Sequence, residues 1–325
     1  MEFIKAKTIL SKVKYGNDWY GVDYNMNLYR GCPHGCIYCD SRSNCYHIDN
    51  FDVPRGKENA LEILENELSK KKDHGVIGIG SMSDTYNPQE LKYEQTRGAL
   101  KLISKYNFGV SIDTKSDLIL RDLDLLKEIS EKNSVIIKFT ITVADDNLSR
   151  IIEPNVCASS KRFEAIKKLS DNGIFTGIMM NPVLPFITDN VDNIKTLVRL
   201  AYQNGAKFIH TYMGMTLREN QRDYYYEKLD KHFSGVKEKY IRRYGNSYNC
   251  VVPNYKELYN IFVSECNKYG ILYKMTDIIK AYKNIIKESE QISLFEEWLY
   301  ICLIKISTLP WQVLIKVLLL NCNKE

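Results

Sequence analysis

Three cysteines fall within eight residues: Cys32, Cys36 and Cys39, in the run Tyr29-Arg30-Gly31-Cys32-Pro33-His34-Gly35-Cys36-Ile37-Tyr38-Cys39-Asp40. Gaps of three and two residues let one loop wrap three thiolates around a small metal centre. Thiolates hold iron–sulfur clusters, and a four-iron cluster normally takes four such ligands. A loop that offers three leaves one iron open to ligand chemistry. Two other readings stand beside this one. A zinc site would need a fourth ligand, for which His34 or Cys45 is available, and three buried, inert thiols would need none. Gly31, Pro33 and Gly35 favour an irregular loop folded around a ligand over a helix. Cys45, Cys157, Cys250, Cys266, Cys302 and Cys322 contain no second close-spaced set, so one centre is expected.

The elements that must position this loop follow an alternating pattern. Short β-branched runs predict strands over Asn25–Tyr29, Val76–Gly80, Gly109–Asp113, Val135–Val143, Ile174–Met180 and Lys207–Tyr212. Amphipathic stretches predict helices over Asn59–Lys72, Gln89–Tyr106, Ser116–Glu131, Ser160–Asn172 and Val191–Asn204, the last capped by Thr188 or Asp189. Six strands alternating with helices imply a parallel sheet with right-handed crossovers. Periodicity leaves open whether that sheet closes. The cysteine loop follows the first strand, at the sheet end where α/β folds place their sites. The architecture changes after Tyr212: residues 216–295 read as a smaller, mainly helical C-terminal cap on a 1–215 body. Residues 296–325 form an apolar tail of two runs, Trp298–Ile304 and Trp311–Leu320, each too short to span a membrane.

Composition narrows the class. At 325 residues, 44% hydrophobic and 26% charged, the chain is expected to be globular rather than disordered. A net charge of +5 permits an anionic partner without demanding one. No secretory signal is read at the start, MEFIKAKTIL. Clustered cysteines without such a signal point to metal or redox chemistry in a reducing compartment, the cytoplasm.

The spacing Cys-x-x-x-Cys-x-x-Cys, with an aromatic residue before the third cysteine, resembles the signature of the radical S-adenosylmethionine (SAM) superfamily. Further motifs resemble its spore photoproduct lyase-like branch: Gly80-Ser81-Met82-Ser83-Asp84-Thr85-Tyr86-Asn87-Pro88, Thr96-Arg97, Thr114-Lys115-Ser116, Glu153-Pro154-Asn155 and Asn181-Pro182-Val183-Leu184-Pro185. The resemblance covers about residues 1–295. It implies a partial (β/α)6 barrel, here with a small C-terminal helical cap. It also implies an enzyme with a 4Fe–4S cluster on Cys32, Cys36 and Cys39, whose open iron chelates SAM. Reductive cleavage of SAM would yield methionine and a 5′-deoxyadenosyl radical that takes a hydrogen atom from a substrate. The resemblance places Tyr38 beside the adenine and Ser81, Ser83 and Asp84 at the methionine amino group. Lys115 falls at the carboxylate, and Thr140 and Thr142 at the ribose. A reductant such as flavodoxin or ferredoxin is the implied partner. The residue types suit these tasks, since an ammonium seeks acceptors and a carboxylate a cation. The same types also serve as turn formers, a solvated charge and plain β-formers.

The sequence departs from the lyase at two places. Ser81 stands where the lyase has a hydrogen-donating cysteine, and Asp40 where it has a tyrosine. Lesion repair by the lyase route is therefore not expected. The substrate is unassigned, with nucleic acid as one class. Lys70–Lys72, Tyr224–Tyr226 and the mixed basic and aromatic run Lys237–Tyr244 are the features that would serve it. The reading from a different class is a zinc-stabilised nucleic-acid-binding module without catalysis.

Overall fold

The computed structural model describes residues 1–13 and 19–283. Six parallel strands build its central sheet in sequence order: Tyr24–Met26, Val76–Ile79, Gly109–Thr114, Val135–Thr140, Thr176–Met180 and Phe208–Thr211. Each agrees with an expected strand to within a few residues. Among the described residues the sheet does not close: its two edge strands do not pair. Leu10–Lys12 pairs antiparallel with the first core strand and forms one edge. The other edge is lengthened by a bridge from Phe208 to Leu272.

Parallel strands covered by helices on their faces lose contact with water on both sides, which explains their continuous apolar runs. All six residues of Val135–Thr140 are buried. The exception by type is Lys138, whose ammonium lies 3.0 Å from Asp113 and 4.3 Å from the Tyr20 ring centroid. Helices Ala60–Leu68, Leu123–Lys132 and Val191–Gln203 turn Leu64, Leu68, Leu126, Ile129 and Leu197 into one shared core. Full burial of each such side chain contributes roughly 1.5–3 kcal/mol.

Several expected elements are altered. The run Asn25–Tyr29 divides, because the chain leaves the central sheet after Met26. Tyr29–Arg30 pairs instead with Arg55–Lys57, which also pairs with Phe3–Ile4. The expected helix Gln89–Tyr106 breaks into Glu90–Tyr93 and Gln95–Lys105 at Glu94, whose φ is +46°. Buried Glu90 secures the break by accepting from the Thr96 backbone N–H at 2.8 Å. The helix over Ser116–Glu131 begins as a 3₁₀ segment, Asp117–Asp122, before its α-helical part. Val191–Gln203 is capped by Asn190, which accepts from the Asn193 N–H, and not by Asp189 or Thr188. The Thr188 hydroxyl accepts from Leu184 N–H instead, at 2.8 Å. A further helix, Asp146–Ile152, was not expected.

After the sixth core strand come a hairpin-like pair, Gly214–Thr216 with Asn249–Val251, and helices Gln221–His232, Val236–Tyr244 and Tyr255–Tyr269. They belong to one compact unit, Met1–Tyr282. Tyr225, Leu229 and Tyr240 share a core with Ile37, Tyr38 and Ile152 beside the cysteine loop. This corrects the expectation of base-stacking surfaces at two tyrosines: Tyr225 and Tyr240 are fully buried, with hydroxyls 3.0 Å apart. The apolar tail 296–325 lies outside the described residues. Among the described residues no helix is long and apolar enough to cross a membrane.

Candidate active site

The cysteine loop opens at Gly31, whose φ is +82°. A Cβ there would sit 2.7 Å from the Phe51 carbonyl oxygen, so only glycine fits. That same carbonyl accepts from Cys32 N–H at 2.7 Å. The loop is then held from three directions. From the second strand's end, the Ser83 hydroxyl donates to the Gly31 carbonyl at 2.6 Å. From the Glu153-Pro154-Asn155 turn, the Asn155 amide donates to Pro33 O at 2.8 Å, while Ile37 N–H donates to Ile152 O at 2.9 Å. From the C-terminal helices, Gln221 donates to Tyr38 O at 3.0 Å, and Thr216 and Arg218 donate to the Asp40 carboxylate at 2.8 and 3.1 Å. Asp40 also accepts from the Tyr46 hydroxyl. It is a tether of the loop, with both oxygens engaged.

Cys32, Cys36 and Cys39 line one cavity of about 260 Å³ at the C-terminal ends of the core strands, together with Ser81, Ser83, Asp84, Lys115 and Thr140. Eight of the ten residues expected at the site, from three strand ends and the loop, therefore meet here, Ser81 at the exposed side. Tyr38 and Thr142 are not in the lining. The Tyr38 ring lies 6.0 Å from the Lys115 ammonium, and its hydroxyl donates to Glu153. Thr142 is buried beyond the end of the fourth strand, and its hydroxyl has no hydrogen-bond partner among the described residues.

Electrostatics order the cavity. Asp84 accepts from the Thr114 hydroxyl, Tyr86 N–H and Lys115 N–H at 2.7, 2.9 and 2.7 Å. It thereby ties the second strand's end to the third. His34 Nδ1 lies 3.6 Å from Asp84, but burial holds the imidazole pKa below its ordinary value, against the pull of Asp84. The Lys115 ammonium makes no hydrogen bond among the described residues. Burial opposes its charge, yet Cys36, Glu153, Asp84 and Cys39 together raise its pKa. Burial pushes the Cys32 thiol up to about 12 and raises Cys36 and Cys39 as well, with Lys115 opposing the last two.

Three thiols and an unpaired cation on one cavity suit an iron–sulfur cluster carrying an anionic ligand. The donor set falls one short of the four that four irons need, which leaves a coordination position for that ligand. A single zinc ion would need its ligands within about 2.0–2.3 Å of one point. Among the described residues no three His, Cys, Asp or Glu side chains converge in that way. Cys45 is exposed beside Arg218 and not in the cavity lining.

The network behind the loop escaped sequence reasoning. Arg162, fully buried, lies 2.5 Å from Glu153 and donates to the carbonyls of Thr140 and Cys157, both at 2.9 Å. In sequence it looks like any cation on an amphipathic helix. Glu153-Pro154-Asn155 was visible as a motif, but nothing in it reveals that Glu153 takes the Tyr38 hydroxyl.

The Radical SAM superfamily model matches residues 26–201. An uncharacterised protein of Methanocaldococcus jannaschii is 36% identical over 189 residues, covering 57% of this chain and 68% of its own. One of Mycobacterium tuberculosis (strain ATCC 25618 / H37Rv) is 27% identical over 242 residues, covering 72% and 71%. Among solved structures, a double mutant of spore photoproduct lyase with bound AdoMet and dinucleoside spore photoproduct superposes with a TM-score of 0.60 at 14% identity, covering 82% of this chain and 78% of that one. The lyase complexed with dinucleoside spore photoproduct gives 0.61 at the same identity, covering 82% and 79%. At that identity the likeness is one of fold.

Proposed function

We propose site roles from the premise that this chain belongs to the radical SAM superfamily and is an enzyme using a 4Fe–4S cluster and SAM. Cys32, Cys36 and Cys39 ligate the cluster. The chemistry supplied by the bound pair is one-electron cleavage of the sulfonium C–S bond, which yields a carbon radical able to take a hydrogen atom from a substrate. The chain's own residues bind, orient and enclose. The Lys115 ammonium holds the SAM carboxylate, a role supported by its lack of a hydrogen-bond partner among the described residues. The Ser81–Asp84 segment receives the amino group. Ser83 already holds the loop and Asp84 joins two strand ends; Asp84 Oδ1 accepts two hydrogen bonds, while Asp84 Oδ2 and the Ser83 hydroxyl keep unused lone-pair capacity. Thr140 faces the ribose. Thr142 was expected to share that role, and its hydroxyl lies off this cavity, so the role rests on Thr140. Tyr38, fixed through Glu153, sits beside the adenine. The helices after Thr216 act as a cap that locks the loop from outside. The substrate is a molecule with an abstractable hydrogen, nucleic acid being one class, and the place of work is a reducing compartment such as the cytoplasm.

The observation that carries this reading is the meeting of three thiols, Lys115, Ser81 and Thr140 on one cavity. Its test is anaerobic reconstitution with iron and sulfide, followed by SAM and dithionite. A brown protein that forms methionine and 5′-deoxyadenosine is expected. A reconstituted protein that holds iron yet never cleaves SAM would sink the reading.

A further inference from the structure

We propose that the groove on the outer side of the cysteine loop is the docking face for a small acidic electron-donor protein. The inference rests on the radical-enzyme reading above, which requires an electron to reach the loop from outside. The loop has two sides that alternate residue by residue. Cys32, His34 and Cys36 line the inner cavity. Pro33, Gly35 and Ile37 line a separate groove of about 730 Å³ on the other side. An electron donor seated in that groove lies one backbone thickness from the thiols and leaves the inner cavity free for SAM and substrate.

The groove's chemistry fits such a partner. Its rim carries Arg150, Lys228 and Lys231, with His232 beside them; Arg150 and Lys231 are exposed. The carboxylate in the lining, Asp52, is held by Arg42 through two hydrogen bonds of 2.8 and 2.5 Å. Lys228 shares its charge with exposed Glu227 at 3.0 Å, which leaves a cationic surplus. Tyr224, Lys228 and Lys231 stand at i, i+4 and i+7 of helix Gln221–His232 and so present one face. The Tyr224 hydroxyl donates to the Gly35 carbonyl at 3.4 Å, and its ring carries the Arg42 guanidinium 3.8 Å away. This tyrosine joins the rim directly to the loop. Ile37, Ile151 and Pro154 add apolar lining, the last two exposed, and apolar contacts beside charged ones are the anatomy of a protein interface. In the step served, one electron leaves the donor, which is oxidised, and enters the centre held by the loop, which is reduced. No proton or group moves with it. A nucleic-acid substrate would need the inner cavity, where the radical forms, so the outer face favours the donor.

The test uses the full-length, reconstituted protein, an acidic flavodoxin as probe, and the variants Arg150→Glu and Lys231→Glu on two different elements. Flavodoxin affinity is measured by calorimetry at two ionic strengths, alongside SAM cleavage driven by reduced flavodoxin or by dithionite. Each variant should lose roughly tenfold or more in flavodoxin affinity at low salt and in flavodoxin-driven cleavage, as charge reversal in a steering patch predicts. Added salt should narrow the gap. Dithionite-driven cleavage should stay within about twofold of the parent, since charge reversal at a docking rim acts on partner encounter. Unchanged flavodoxin affinity in both variants would overturn the proposal. So would loss of affinity for a DNA duplex while flavodoxin binding stays intact, which would make the groove a nucleic-acid surface. If the parent protein holds iron but dithionite supports no cleavage, the radical-enzyme reading fails and takes the docking proposal with it.

Discussion

Lys115 is the residue whose role can be isolated most cleanly, because no hydrogen bond among the described residues holds its ammonium. Lys115→Met should weaken SAM binding by about tenfold or more, the worth of a hydrogen bond between charged groups, while leaving circular dichroism unchanged. Equilibrium dialysis against the reconstituted protein measures it; full affinity would remove Lys115 from the site. Glu153 makes a contrasting case. It lies 2.5 Å from Arg162 in a fully buried pair that also holds Tyr38. Glu153→Gln strands a buried guanidinium, and breaking such a pair costs about 3–5 kcal/mol. Denaturant titration should report that loss. A change below about 1 kcal/mol, the scale of an exposed pair, would mean water reaches Arg162. Lys115 could be marked as a site residue in the sequence from its motif, whereas Arg162 could not, since only packing turns a helix-surface residue type into a core ion.

At the scale of elements, the cysteine loop is over-determined. Its backbone or side chains bond to the second strand's end, the Glu153–Asn155 turn, Phe51 and the helices after Thr216. Cys36→Ala should therefore abolish cluster loading, read by loss of absorption near ~400 nm, without unfolding the protein by circular dichroism. An unfolded variant would instead identify a structural metal site, whose binding energy is folding energy. Gly31→Ala acts differently. Its φ of +82° and the 2.7 Å approach to Phe51 O leave no room for a Cβ, so the loop must shift. Iron content per chain should fall although all three thiols remain. Full loading would show that the loop tolerates the shift. The glycines and cysteines of this loop were legible from sequence. The break at Glu94 was not, because it depends on Glu90, Tyr29 and Arg121 meeting from distant positions.

For the whole molecule, the cavity distinguishes this chain from its structural likeness. Cys45, Cys157, Cys250 and Cys266 do not line it, and Ser81, which the sequence resemblance sets where the lyase has a cysteine, does. A serine O–H bond is too strong to serve as a hydrogen donor to a carbon radical. Given a spore-photoproduct oligonucleotide, the enzyme should form 5′-deoxyadenosine with little thymine released, and Ser81→Cys should raise thymine release if the lesion binds. Multiple-turnover repair by the unmodified protein would overturn this. Reconstitution should give about four iron and four sulfide per chain, as one cluster requires; about eight of each would demand a second centre.

The sequence alone determined the local features. Cysteine spacing, strand and helix alternation and turn glycines are all encoded within short windows, where one residue's conformation depends on near neighbours. From them came the six-stranded parallel body and the three close-spaced thiols of the loop. Tertiary structure alone decided what depends on separation in the chain. It brought Lys115 and Ser81 onto the cavity of Cys32, Cys36 and Cys39 while leaving Thr142 off it. It also buried Tyr225 and Tyr240 as core and turned Asp40 into a tether to Thr216 and Arg218. A contact between residues 176 or 178 positions apart has no periodic trace in sequence. It exists only once the sheet has set the strand ends side by side.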